Sequence, residues 1–125
     1  MSSIFSSVLT AFLVAVVVST AANTCTTVYL HRALSHRALT LKPSIALVFR
    51  AVLWLSTGIK PKEWVAVHRK HHAYTDIEGD PHSPVLLGWK TVQTKNVALY
   101  RASVLDPSTI DRYAKDLPDD RWDTL

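Results

Sequence analysis

The chain has 125 residues, with 14 basic and 10 acidic side chains, a formal net charge of +4, and 48% hydrophobic residues. That length allows one domain at most, and the apolar fraction excludes an intrinsically disordered chain. A single cysteine, Cys25, excludes an internal disulfide framework and any thiolate zinc finger. Charge is unevenly spread: residues 1–30 carry none, residues 31–72 balance to +7, and residues 73–125 balance to −3. A charge-free leader followed by a basic block is a membrane pattern. Histidine and leucine interrupt the basic block, which therefore lacks the basic stripe of a nucleic-acid binder, and no nucleic-acid partner is expected.

Residues 4–22 read IFSSVLTAFLVAVVVSTAA, and NTCTTVYL carries the uncharged run on to Leu30. About 20 apolar residues at about 1.5 Å rise cross a hydrocarbon core about 30 Å thick. A signal peptide fits less well, because MSSIFSS lacks a basic start and the run is too long for an h-region. The expectation is one spanning helix near residues 4–27. Arg32, Arg37 and Lys42 follow it and place its C-terminal end in the cytoplasm. Residues 44–59 follow Pro43, hold Arg50 at their centre, and stop at Gly58 and Pro61. They predict an amphipathic helix at the interface or packed on the first one, and not a second span. PKEWVAVHRKHHAY (61–74) predicts a third helix, and TDIEGDPHSP a loop. Residues 85–100 are expected to be partly helical. Asp106 and Pro107 form a cap for a short polar helix over 108–115, before a turn-rich end.

Five of the six histidines fall into two groups, His31 with His36, and His68 with His71 and His72. At about 100° per residue, the second group occupies an arc of about 100°, one helical face. On a regular helix His31 and His36 stand about 140° apart. They converge only if the helix ends there, or else serve different metals. Neutral imidazole suits zinc, copper, iron and nickel, so ligand type alone leaves the metal open. Two such groups beside a membrane span point to oxidative chemistry on a lipid-soluble substrate.

The segments HRALSHRALTLKP and EWVAVHRKHHAYTDIEGDPHSP resemble the first and second histidine boxes of integral-membrane fatty-acid desaturases, with bacterial acyl-CoA delta-9 (stearoyl-CoA desaturase-like) enzymes the nearest in pattern. LYRAS and DLPDDRW also resemble the stretch after box two in that family. The resemblance implies an all-α membrane protein: one transmembrane helix (1–30), an amphipathic interfacial helix, and cytosolic helices with histidine boxes (31–125). It implies a di-iron, O₂-using enzyme that introduces a double bond into a saturated acyl chain. His31, His36, His68, His71 and His72 are the implied iron ligands. Asp80 and His82 are expected behind the ligands or fixing the loop. Trp64 is expected to line the acyl tunnel or to anchor the interface. Arg69 and Lys70 are expected to point away from the metals, toward an acidic headgroup or solvent. The implied partners are an acyl-CoA or acyl-lipid substrate, membrane lipid, and an electron donor such as ferredoxin or a cytochrome b5-type protein.

The family's third box has no counterpart here, since no histidine follows His82. The chain is therefore read as the N-terminal part of a desaturase, inactive by itself. Two other readings stay open: a membrane histidine-box hydroxylase, and a non-enzymatic membrane protein holding one metal.

Overall fold

The computed structural model describes residues 2–124, and all regular structure among them is helical. The chain divides into two compact units at Gly58.

In the first unit, α1 runs Ser2–Cys25 and passes without a break into a π-helical segment, Thr26–Ser35. Together they form a helix, Ser3–Ser35, long and apolar enough to cross a membrane. Four of its hydroxyl side chains are satisfied inside the helix: Ser7, Thr10, Thr24 and Thr26 each donate to the carbonyl four residues back. That internal bonding lets Ser and Thr sit in an otherwise apolar helix where no water is available. Ile4 and Phe5 (each 70% exposed) and Val17 (67%) point outward. A water-soluble helix buries such side chains; a lipid-facing one has no reason to.

Helix α2 (Pro43–Thr57) starts with proline in its first turn and ends on Gly58 at φ 64, whose N–H donates to the Trp54 carbonyl at 3.2 Å. Glycine adopts that left-handed geometry at no steric cost. Helix α2 packs on α1, one of the two positions expected for it. Leu53 and Arg50 are buried, whereas Ile45, Leu47, Val48 and Leu55 are exposed. The charge thus faces in and the hydrocarbon faces out.

In the second unit, α3 spans Pro61–Tyr74, as the sequence predicts. Val65 and Ala66 of α3 and Thr109 and Ala114 near α6 (Pro107–Tyr113) are fully buried, and α3 packs on α6 and on α5 (Trp89–Val104). The predicted mixed stretch resolves into α4 (Pro84–Leu87), a break at Gly88 (φ 81), and α5, which kinks at Lys95. Asp106 caps α6 by accepting from the Ser108 N–H at 3.0 Å. Arg69 and Lys70 do turn from the histidines, but neither waits for a headgroup. Arg69 Nη1 donates to Asp116 Oδ1 at 2.6 Å and to the Tyr113 carbonyl at 2.9 Å. Lys70 Nζ donates to Thr109 Oγ1 at 3.0 Å. With Lys62 on Asp119 (2.7 Å), one face of α3 is clamped to the C-terminal segments.

Candidate metal centre

The first histidine pair converges through its backbone. Five-residue hydrogen bonding replaces the usual four: the His36 N–H donates to the His31 carbonyl at 3.0 Å, and Ser35 Oγ to the Leu30 carbonyl at 2.8 Å. In i→i+5 bonding each residue advances less around the axis than in an α-helix, so residues five apart lie much closer to one side than the α-helical angle allows. The His31 and His36 rings are accordingly 4.5 Å apart, centroid to centroid. The separation expected of a regular helix is thereby reduced at the point where the helix ends, since His36 is the residue that caps it. Arg37, at φ 52, then turns the chain, and the Ala38 N–H closes on the Arg32 carbonyl at 2.9 Å.

Two of the three histidines in the second group meet as their spacing predicts. His68 Nε2 and His72 Nε2 lie 3.1 Å apart on one face of α3. Two imidazole nitrogens each about 2.1 Å from one ion stand about 3 Å apart at right angles, so this pair fits adjacent positions on one metal. Trp64, one turn earlier, stacks on His68 at 4.7 Å with the planes 15° apart. His71 is turned differently: its Nδ1 meets Asp80 Oδ1 at 2.9 Å, and its ring stacks on His82 at 4.4 Å.

Asp80 is fully buried at the side chain and also accepts from the His82 N–H (3.0 Å) and the Asp76 N–H (2.9 Å). Burial alone would raise its carboxyl, but the bonds from His71, His82 and Asp76 bring it below the usual carboxylate range. Burial and the neighbouring His71 push the His82 imidazole down, with Asp80 opposing. The loop that carries Asp80 needs two left-handed residues, Asp76 (φ 60) and Gly79 (φ 102). A methyl group on Gly79 would come 3.1 Å from the Tyr74 ring.

A cavity of about 170 Å³ adjoins the group, lined by Trp64, Val67, His68, His82, Asn96 and Tyr100. The Tyr100 hydroxyl is buried there with no hydrogen-bond partner among the described residues. Sequence reasoning did not single out Asn96 and Tyr100. Their i,i+4 spacing in QTKNVALY was the available signal, since it puts them on one side of α5.

The described residues thus combine an all-helical fold, an apolar helix of spanning length and histidine groups close enough to hold a metal ion. The fatty acid desaturase family model matches residues 7–118, and the chain belongs to that family. It is 35% identical over 79 residues to the delta-9 desaturase-like 2 protein of Arabidopsis thaliana, covering 63% of this chain and 26% of that one. It is 41% identical over 64 residues to the acyl-CoA C20 delta5-desaturase of Anemone leveillei (51% and 20%). It is 40% identical over 55 residues to the hex-5-enoyl-[acyl-carrier protein] acetylenase of Moorena producens (44% and 17%). The chain thus spans about a quarter or less of the length of these relatives. No solved structure matches it.

Proposed function

We propose that this chain carries part of the active site of an iron-dependent fatty acyl desaturase of the delta-9-like, acyl-CoA or acyl-lipid type, facing the cytoplasm. Family membership supports the reaction class. The observation that carries the site assignment is the pairing of histidines within each box. His31 and His36 meet edge to face, ring centroids 4.5 Å apart, at the end of the π-helical segment, and His68 and His72 bring Nε2 atoms to 3.1 Å on α3. His31, His36, His68, His71 and His72 are the proposed ligands of two irons. Iron, when bound, supplies the activation of O₂ that removes two hydrogens from the acyl chain.

The chain's own residues hold and shield that chemistry. Neutral imidazoles offer lone pairs without adding negative charge, which suits iron over harder cations. Trp64 stiffens His68 by stacking and is proposed to border the acyl path. The apolar outer side of the first unit holds the protein in the lipid where acyl chains reside. Electrons come from a ferredoxin or a cytochrome b5-type protein in this reading.

The test is iron content and fatty-acid analysis of a polypeptide that contains these residues, in a host lacking its own desaturase. A new double bond that depends on His71 supports the proposal. A hydroxylated acyl product would replace it with a hydroxylase, and bound metal without any product would leave a metal-binding role only.

A further inference from the structure

The loop after α3 sets three groups together, His71, Asp80 and His82, whose donor atoms all lie within 4.8 Å of one another. By distance alone these could hold a metal ion of their own. The geometry points elsewhere. The His71 and His82 rings are stacked, 23° from parallel, so their in-plane lone pairs run alongside each other and do not converge on one point. Both Asp80 oxygens are engaged: Oδ1 by His71 Nδ1 and the His82 N–H, Oδ2 by the Asp76 N–H. A carboxylate that accepts three hydrogen bonds at 2.9–3.0 Å has little left for a cation.

We infer that Asp80 is a positioning residue for His71, fixing the imidazole as its Nδ1–H tautomer so that Nε2 presents the lone pair to the metal. The inference rests on the reading of His71 as a ligand. A carboxylate behind a metal-bound histidine sets tautomer and ring orientation and strengthens the ligand. Here the carboxylate is itself held by loop N–H groups, and the stacked His82 ring limits rotation of His71 from the other side. Ser83 completes the brace. Its Oγ donates to Asp76 Oδ1 at 2.7 Å and accepts from the Val85 and Leu86 N–H groups at the start of α4.

The test is ¹⁵N NMR of the full chain in detergent with labelled histidine, His71 being assigned by comparison with His71→Gln. Zinc(II) serves as a diamagnetic probe. The expected result without metal is a protonated Nδ1 and a bare Nε2 on His71. Added zinc should then shift Nε2 while Nδ1 keeps its proton and the His82 nitrogens stay unmoved. In Asp80→Asn, where one of the two accepting oxygens becomes an NH2 donor, His71 should lose its tautomer preference and zinc affinity should fall tenfold or more. An Nε2–H tautomer in the wild-type chain would overturn the inference, as would a zinc-induced shift at His82 or an unaltered tautomer in Asp80→Asn. The two readings separate cleanly. An Nδ1–H His71 that binds no zinc supports the positioning role and sinks the ligand assignment, and an Nε2–H His71 that binds zinc does the reverse.

Discussion

At the scale of single residues, α3 divides its side chains by role: His68, His71 and His72 on one face, and Lys62, Arg69 and Lys70 on the clamped one. Removing one of the proposed ligands should therefore spare the helix. His71→Ala replaces a weak helix former with the best one, so helicity should persist by circular dichroism. In an active polypeptide that contains these residues, desaturation should fall at least about 100-fold, beyond the loss typical of an outer-shell partner. Acid should act on the second unit through its aspartates. Bonds to His71, His82 and Asp76 lower Asp80 against its burial, a bond to Ser108 leads in lowering Asp106, and one to Lys62 leads for Asp119. A carboxyl depressed in the folded state contributes stability above its unfolded value of about 3.9, and that contribution is lost as pH falls through the lower folded value. His82, pushed down by burial, adds a loss that begins as pH falls below the unfolded imidazole value of about 6.5, so thermal melts should start to decline there and drop further below about pH 4. A melting temperature at pH 3 equal to that at pH 7 would refute this.

Among the elements, the two histidine boxes were unequally legible. HxxHH reads directly because an α-helix turns about 100° per residue, and α3 has its predicted bounds. HxxxxH does not, since nothing in TTVYLHRALS announces i→i+5 bonding; no proline or glycine marks the change. An alanine inserted between Ala33 and Leu34 would set the pair at i,i+6. Metal binding by these two histidines should then weaken about tenfold or more in a titration. Arg69 and Lys70 were illegible for another reason, as their partners lie 36 to 47 positions away in sequence and only tertiary packing brings them near. Both members of the Arg69–Asp116 pair are less than a third exposed at the side chain. Arg69→Ala should cost roughly 1–2 kcal/mol in the unfolding of the second unit, and a double-mutant cycle with Asp116→Ala should return most of it as coupling. Asp80 was visible in DPH as a neighbour of the ligands. Its bond to His71 depends on a loop conformation that residue types do not spell out.

For the whole molecule, the ligand count sets the limit. For the two irons proposed here, five box histidines are fewer ligands than two octahedral ions take. Residues 1–125 expressed alone in a desaturase-deficient host should bind metal but give no unsaturated product by fatty-acid analysis. Sidedness is equally testable, because the lone cysteine can be removed. With Cys25→Ala as background, single cysteines at the exposed Ser56 and Ser108 should both label from the cytoplasmic side. Labelling from opposite sides would exclude a shared centre. The inverted helix α2, with Arg50 inside and Ile45, Leu47, Val48 and Leu55 outside, has a practical corollary. Two solvents are written into one chain: a hydrocarbon phase for the first unit, and water for the ion-paired exterior of the second. Purification in plain buffer should drive α1 and α2 to cluster apolar side to apolar side. A micelle or nanodisc supplies the missing phase, and it sets the conditions under which any metal titration of this protein is meaningful.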